Sequence, residues 1–215
     1  MKAHPGPMGR RERAKQDKRR RVVAAAAELL GDRSVDHVTM QEVADRADVA
    51  IGTLYLYAGT KAELLIMAQN PRFAAAVDDG VAAAGGQDAG GTVESVLALL
   101  RPVIASLREQ PENGRAYLHE LVFGDRAEPH RAEGLALALR LEEAIARILL
   151  GECGIAQLLA VTLARVVTAI VLAATMSAQF VREDVSGLLC RMRLQVTAIL
   201  SSATATDSAE AGHPT

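Results

Sequence analysis

Apolar residues recur along this chain at three- and four-residue spacing, with polar or Gly/Pro breaks between the runs. That spacing is typical of amphipathic helices, and the alternation that indicates a strand appears nowhere. After Pro71 the pattern predicts a helix reaching Ala84 and then a Gly-rich loop. Five further helices are predicted at 92–110, 113–123, 132–150, 155–181 and 185–201. The sequence therefore predicts an all-α protein.

The segment 39–65 carries the most specific pattern, two short helices joined by a tight turn and followed at once by a third. Thr39 is expected to cap the first helix, with Glu42 completing a capping box three residues later. The turn lies at 48–50, and the second helix, at 51–57, is too short to be stable without its neighbours. This arrangement predicts a helix-turn-helix, a structure that enters the DNA major groove.

The third helix of this segment is predicted to begin after Thr60, whose hydroxyl is placed to cap it. Glu63 stands at its capping-box position. Lys61 lies at the start of the same helix, where its ammonium group is expected to reach a DNA phosphate.

Residues 19–65 resemble the DNA-binding domain of TetR-family transcriptional regulators. The apolar positions, the turn and the residues that follow the turn all match the family pattern together. The family pattern of a Gly, two Tyr separated by one residue, and a Lys opening the next helix is matched by Gly52, Tyr55, Tyr57 and Lys61. The resemblance implies close backbone approach and phosphate contact at these positions. The predicted DNA-binding residues are Thr39, Ile51, Gly52, Thr53, Tyr55, Leu56, Tyr57, Thr60 and Lys61.

Three positions depart from the family pattern. Ala58 stands where the family usually has Phe, Asp48 where it has a turn Gly, and Ala50 where Ser or Thr often caps the recognition helix. Asp tolerates a left-handed turn better than most residues, and its carboxylate is expected to cap the helix in place of Ala50.

A dense basic run precedes the motif, with eight Lys or Arg between residues 10 and 21 opposed only by Glu12 and Asp17. Runs of like charge are usually solvated and disordered. We predict a disordered basic arm at 1–18 that follows the DNA phosphates or the minor groove, the alternative being a solubilising tail.

Charge is unevenly distributed, since residues 1–70 carry a formal +3 and the remainder −5 of the net −2. The basic part contains the DNA-binding domain, which we predict at 19–66. An acidic helical domain for effector binding and dimerisation is predicted at 67–202, and a disordered tail at 203–215.

The 215 residues are 50% hydrophobic, which is ample for a sizeable core. Two cysteines, Cys153 and Cys190, lie in apolar helical context and are expected to be buried thiols rather than a disulfide scaffold. The Arg-rich N-terminus lacks the apolar core of a secretory signal, so the cytoplasm is the expected compartment.

The segment 155–181 is long enough to span a bilayer and carries a single charge, Arg165. A membrane span is the rival interpretation, but a central Arg is costly in hydrocarbon and no aromatic belt flanks the segment. We expect no membrane contact and a helix covered on both sides, with Val167 and Val171 facing a partner subunit. The family resemblance likewise implies a homodimer through the last two long helices.

Catalytic and metal-binding patterns are missing from the sequence. The five His residues are scattered, and no phosphate-cradling loop occurs. The adjacent carboxylates of Glu142 and Glu143 diverge around a helix, so a solvated face is a better interpretation than a catalytic pair. We expect no enzyme, no cofactor and no metal.

The resemblance also implies an effector pocket in the helical domain. Small-molecule sites place a few polar groups among apolar walls, which suggests a small, largely apolar effector here. The candidate lining residues are Phe73, Arg101, Tyr117, His119, Glu120, Phe123, Met176 and Phe180.

The sequence thus favours a dimeric regulator, a repressor that binds a palindromic operator in double-stranded DNA and is released by a small-molecule effector. The alternative is a helical binding module that contacts acidic partners without sequence-specific DNA recognition.

Overall fold

The computed structural model describes residues 9–86, 90–125, 127–177 and 183–211, with backbone alone for the last nine. Within these residues the chain forms nine α-helices, a short 3-10 turn at Val35–His37, and no strand. The helices are α1 (Arg10–Asp32), α2 (Met40–Arg46), α3 (Ile51–Leu54), α4 (Lys61–Ala84), α5 (Thr92–Arg108), α6 (Pro111–Phe123), α7 (Pro129–Cys153), α8 (Gln157–Met176) and α9 (Val185–Ala211). The predicted all-α fold class is confirmed.

Helices α1 to α4 build the N-terminal domain, in which α1 packs on α2 and α4, and α2 packs on α3. Ala58, which stands where the family usually has Phe, is buried in the core of this domain. Burying each Val or Leu side chain contributes roughly 1.5–3 kcal/mol before entropy is counted. The buried side chains are Val22, Ala25, Ala26, Leu29, Leu30, Val43, Ala44, Leu54, Leu64 and Leu65.

The predicted capping box is present at the start of α2. The Glu42 backbone N–H donates to the Thr39 hydroxyl at 3.2 Å, and the Thr39 backbone N–H donates to the Glu42 carboxylate at 2.8 Å. The turn before α3 places Asp48 at a φ of 51°, in the left-handed region that the sequence led us to expect. Its carboxylate does not cap α3 as we expected; it accepts instead from the Arg21 guanidinium at 2.8 Å.

The basic run differs from its prediction, because α1 begins at Arg10 and residues 10–18 are helical rather than a disordered arm. Lys and Arg are good helix formers, and an ion pair between Arg20 and Asp17 joins successive turns. The Tyr57 hydroxyl also donates to the Lys15 carbonyl oxygen at 3.1 Å, which holds this extension against the rest of the domain. Residues 1–8 lie outside the described residues.

Helix α4 joins the two domains without a break, so the predicted boundary at residue 66 falls inside a helix. Pro71 lies within α4, where we expected it to open or kink a helix. Pro71 has no N–H, so α4 lacks one backbone hydrogen bond at this residue. Because Pro71 is exposed, the missing bond is on the solvent-facing side of the helix. Further along, α4 and α5 approach closely at Gly80, where a Cβ would lie 2.2 Å from the Leu99 carbonyl oxygen.

The helical domain consists of the C-terminal part of α4 with α5 to α9. Helix α5 contacts α4, α6, α7, α8 and α9, and α8 packs on α6, α7 and α9. Its last helix continues to Ala211, so the backbone at 203–211 is helical where we predicted a disordered tail, and 212–215 lie outside the described residues. Ala recurs in this segment and is the best helix former, so the helix can continue once packing upstream has nucleated it.

Helix α8 corrects the prediction about its faces. Val167 and Val171 are buried within their own subunit, not presented to a partner. The outward face carries Leu158, 80% exposed, and Val166, 38% exposed. Among the described residues α8 alone has the length and composition of a membrane span, but its inner face packs on helices of the same chain.

Candidate DNA interface and ligand cavity

Helix α3 presents a short exposed surface on the N-terminal domain. Leu54 is buried and anchors the helix, whereas Tyr55 is 51% and Leu56 83% exposed. The helix ends at Leu54, earlier than the predicted residue 57, because the backbone then tightens into a turn whose Tyr57 N–H donates to the Leu54 carbonyl at 2.8 Å. Large exposed apolar side chains beside a buried anchor indicate a contact surface.

Gly52 lies in the middle of this surface. A Cβ built on it meets no atom within 4 Å, so packing inside the chain does not require glycine here. Gly in a helix costs roughly 1 kcal/mol relative to Ala. The open space above its backbone is what close approach of a second molecule needs.

The start of α4 lies beside α3 along the chain and is also exposed. The Thr60 hydroxyl accepts from the Glu63 N–H at 3.1 Å, as predicted, but the Glu63 carboxylate accepts from Gly59 rather than completing a capping box. The Lys61 ammonium donates to the Asp36 carbonyl at 3.2 Å and remains exposed. Thr39 is likewise exposed at the start of α2.

Tyr57 has a different environment from Tyr55. It is half-buried, and beside it a groove is lined by Lys15, Arg19 and Arg20 of α1. The predicted DNA-binding residues are therefore of two kinds. Gly52, Tyr55, Leu56, Thr60, Lys61 and Thr39 are exposed, whereas Ile51, Thr53 and Tyr57 are partly buried.

A chain of polar contacts joins the N-terminal and helical domains. His130 Nε2 lies 3.1 Å from the Tyr57 carbonyl oxygen, and the His130 carbonyl accepts from the Asn70 amide at 2.8 Å. The other end of the Asn70 side chain accepts from the Tyr117 hydroxyl at 2.9 Å. Buried amides are costly unless they are fully paired, so these contacts fix one arrangement of the two domains.

Asn113 makes a second junction. Its amide donates to the carbonyls of Leu30 and Arg33 at 2.7 and 2.8 Å, and its oxygen accepts from the Val35 N–H at 2.7 Å. Sequence reasoning missed both asparagines. The available signal was a polar amide next to Pro71 within an apolar run, and another close to Pro111 at a helix start.

Among the described residues, two ionisable groups have strongly shifted pKa values. Hydrogen bonds from the Thr39 backbone and hydroxyl, with the Arg33 guanidinium at 3.0 Å, lower the pKa of Glu42 to about 2. Burial raises the pKa of the Tyr117 phenol above its ordinary value, and the charge of Glu133 raises it further. Both groups hold structure: Glu42 caps α2, and Tyr117 donates to Asn70.

The helical domain contains a cavity of about 500 Å³ between α4, α5, α6, α7 and α8. Its size falls within the roughly 300–1,000 Å³ typical of small-molecule sites. Three lining residues are polar, Glu142, Arg165 and Thr168. The apolar lining comprises Phe73, Val103, Leu107, Leu118, Leu121, Val122, Leu135, Ala138, Leu139, Leu141, Ala169, Val171 and Leu172.

The family model for bacterial regulatory proteins of the tetR family matches residues 22–68, the segment that holds α2, α3 and the start of α4. The transcriptional repressor KstR of Mycobacterium tuberculosis is 40% identical over 60 residues, which cover 28% of this chain and 27% of the repressor. KstR of Rhodococcus jostii is 42% identical over 55 residues, 26% of each protein. The chain thus spans about a quarter of the curated relatives that it matches.

The N-terminal domain of this chain belongs to the TetR family of bacterial regulatory proteins. Solved structures share the fold over most of this chain. A possible TetR family regulator from Streptomyces coelicolor is 20% identical, with a TM-score of 0.61 over 87% of this chain and 99% of that one. A TetR variant from Acinetobacter baumannii in complex with minocycline is also 20% identical, with a TM-score of 0.57 over 86% and 96% of the two chains. The resemblance stated from the sequence is confirmed. The matching proteins are regulators, which is consistent with our expectation that the chain is not an enzyme.

The predicted effector residues do not surround one cavity. Of them, Phe73 lines the cavity, and Tyr117 is buried behind it with the two ring centroids 5.8 Å apart. Phe123 is 68% exposed and stacks on His119 outside the cavity. The other predicted residues are Arg101 on the α5–α9 surface, Glu120 half-buried on α6, Met176 at the end of α8, and Phe180, which lies outside the described residues.

Apart from Phe73, the cavity is lined by residues that were not predicted from the sequence. Glu142 was interpreted as part of a solvated face, yet its carboxylate borders the cavity and accepts from Arg165 Nε at 2.8 Å. Its neighbour Glu143 is exposed, as expected. An isolated acidic residue on an amphipathic helix gives no sequence signal for a cavity wall, because the helix rotation that decides it is set by packing.

The two cysteines, Cys153 and Cys190, lie in different environments. The Cys153 thiol is partly buried and donates to the Thr92 hydroxyl at 3.3 Å. Cys190 is exposed, so the prediction of a buried thiol is wrong there, because this residue borders an open groove between α5 and α9. In the described part of the chain no three His, Cys, Asp or Glu side chains cluster as metal ligands would.

Proposed function

We propose that this protein is a dimeric, ligand-responsive repressor that binds a palindromic operator in double-stranded DNA in the cytoplasm. The observation that carries the proposal is the exposed surface of α3, where Tyr55 and Leu56 project beside the open backbone of Gly52. A helix placed this way after a helix and a tight turn is the element that enters the major groove in helix-turn-helix proteins.

The roles of the surrounding residues follow from their chemistry. Ile51 and Thr53 on α3 are proposed to reach base edges, with the Thr methyl and hydroxyl serving apolar or hydrogen-bonding contacts. Lys61 is proposed to contact a phosphate, together with the basic side chains at the start of α1. The relatives of the N-terminal domain are named repressors, which favours repression over activation.

Dimerisation is proposed through the outward faces of α8 and α9. Leu158 on α8 and Leu194 on α9 are 80% and 71% exposed. Helix α8 is also as apolar as a membrane span, so its exposed face presents apolar surface to solvent in the single chain. Apolar surface of this kind on two adjacent helices is stabilised by pairing with a second copy about a two-fold axis. Two N-terminal domains related by that axis fit two operator half-sites one helical turn apart.

The cavity is the proposed effector site, and the polar contacts between the domains are the proposed route from it to α3. Phe73 lines the cavity and contacts Tyr117, whose hydroxyl reaches Asn70 and through it the His130 segment. A ligand that favours a different packing here changes the spacing of the two N-terminal domains, and release follows when that spacing no longer fits successive major grooves.

Selection of DNA sequences from a random pool tests the proposal. We expect a palindrome with two half-sites about one helical turn apart, bound at least a thousandfold more tightly than random DNA at physiological salt. Binding that depends on salt but not on sequence contradicts it, and supports a helical module that contacts acidic partners through its basic α1.

A further inference from the structure

The cavity has one chemical feature besides its apolar wall. Thr168 uses its hydroxyl within its own helix, bonding the carbonyls of Ala164 and Arg165 at 3.1 and 2.9 Å. The ion pair of Glu142 and Arg165 is therefore what can distinguish one apolar ligand from another.

The two members of this ion pair are not equivalent. The Glu142 side chain is 19% exposed and lies against the apolar wall, whereas the Arg165 side chain is 69% exposed. Arg165 can leave the pair more easily than Glu142, because most of its side chain does not pack against the chain's own apolar wall. Glu142 remains on the wall, and without a cation it would be a poorly solvated charge.

We propose that the effector is a cationic amphiphile, with an apolar chain in the cavity and an ammonium-type group that replaces Arg165 at Glu142. The proposal rests on the effector site of the proposed function and names its ligand class. A bound cation keeps the Glu142 carboxylate paired while the ligand covers it.

Other ligand charges fit this wall less well. An anionic amphiphile could bind the remaining N–H groups of Arg165, but it would then lie beside the Glu142 carboxylate, a like-charge contact. A neutral amphiphile would fill the apolar part but would bury the ion pair without adding a partner. The rest of the cavity accepts any of the three, since apolar burial does not depend on the head group.

Three probes of equal chain length separate these cases, namely decyltrimethylammonium, decanoate and decanol. Binding of each to the full chain without DNA is measured by titration calorimetry below the concentration at which the probes form micelles. We expect decyltrimethylammonium to bind at least about tenfold more tightly than either of the others, since an ion pair with a mostly buried carboxylate is worth about that factor.

Two variants and one control locate the selectivity. Glu142→Gln should lower the affinity for decyltrimethylammonium about tenfold and leave the affinity for decanol unchanged. Arg165→Gln should raise the affinity for the cationic probe, because Arg165 no longer competes for the Glu142 carboxylate. Glu143→Gln removes the adjacent exposed carboxylate outside the cavity lining and should change nothing. Circular dichroism confirms that each variant is folded.

Tighter binding of decanoate, or equal binding of all three probes with no effect of Glu142→Gln, overturns the proposal. Failure to bind any probe overturns it as well. None of these results depends on DNA. If they contradict a cationic effector while the protein still selects a palindromic operator, the proposed regulatory function stands and only the effector class is wrong.

Discussion

The imidazole of His130, at the start of α7, lies with its Nε2 3.1 Å from the carbonyl oxygen of Tyr57, just after α3. A carbonyl oxygen only accepts hydrogen bonds, so Nε2 carries the proton and donates. Through this contact the helical domain holds the backbone that follows the proposed recognition helix.

Replacing His130 with Ala should weaken operator binding about threefold to tenfold, the effect of losing one neutral hydrogen bond that pre-orders the contact surface. Fluorescence anisotropy with the selected operator measures it. His119→Ala removes an exposed imidazole on α6 and serves as the control, with unchanged affinity expected. Equal affinities for all three proteins would show that the Tyr57 backbone needs no such support.

Gly52→Ala should act in opposite directions on stability and on DNA binding. A Cβ there meets nothing within 4 Å, so the free protein should gain up to about 1 kcal/mol from the better helix former. The added methyl group should obstruct the approach of DNA to the backbone and lower operator affinity.

The matched control for that variant is Gly31→Ala. Gly31 lies in α1, and a Cβ on it also meets nothing within 4 Å. It should give a similar rise in thermal midpoint without loss of operator binding. If Gly52→Ala binds the operator as tightly as the unmodified protein, DNA does not approach this backbone.

Lys61→Ala should weaken binding to operator and random DNA by the same factor. Removing one phosphate contact lowers the slope of log K against log salt by about 0.9. Titrations at several salt concentrations measure the slope. Arg147→Ala removes an exposed cation from α7 in the helical domain and should leave the slope unchanged. A slope that stays the same in Lys61→Ala would remove this residue from the DNA interface.

Leu194→Glu should convert the protein to a monomer, because a charge on the exposed face of α9 would be buried without a partner in the dimer, at a cost of several kcal/mol. Sedimentation velocity gives the oligomeric state. Val81→Glu places a charge on a 38% exposed apolar residue of α4 and should remain dimeric. Val171 would be a poor test, since it is buried in its own subunit and lines the cavity. A dimer of Leu194→Glu would place the interface elsewhere.

Acid unfolding should depend on Glu42, whose pKa is lowered from 4.5 to about 2 in the folded protein. A depressed carboxyl pKa stabilises the folded state above the ordinary value, and that contribution is lost as the pH falls from about 4.5 toward 2. Glu42→Gln should therefore flatten the decline of the unfolding free energy across this interval. Urea denaturation at a series of pH values measures it, and identical profiles for the two proteins would contradict the assignment.

The sequence by itself determined the local structure of the N-terminal domain. The capping box of Thr39 and Glu42, the left-handed turn at Asp48 and the cap at Thr60 were all predicted, because each depends on side chains within four residues of the backbone they satisfy. Helical spacing of apolar residues likewise determined the all-α class.

Tertiary structure alone decided which face of each helix is covered. Val167 and Val171 form an apolar stripe in the sequence whether they meet their own subunit or a partner, and the packing of α8 on α6, α7 and α9 made that choice. The same packing turned Glu142 to the cavity and left Phe123 outside it. Periodicity gives the width of an apolar stripe but not its direction, since direction depends on residues far apart in the chain that meet only when it folds.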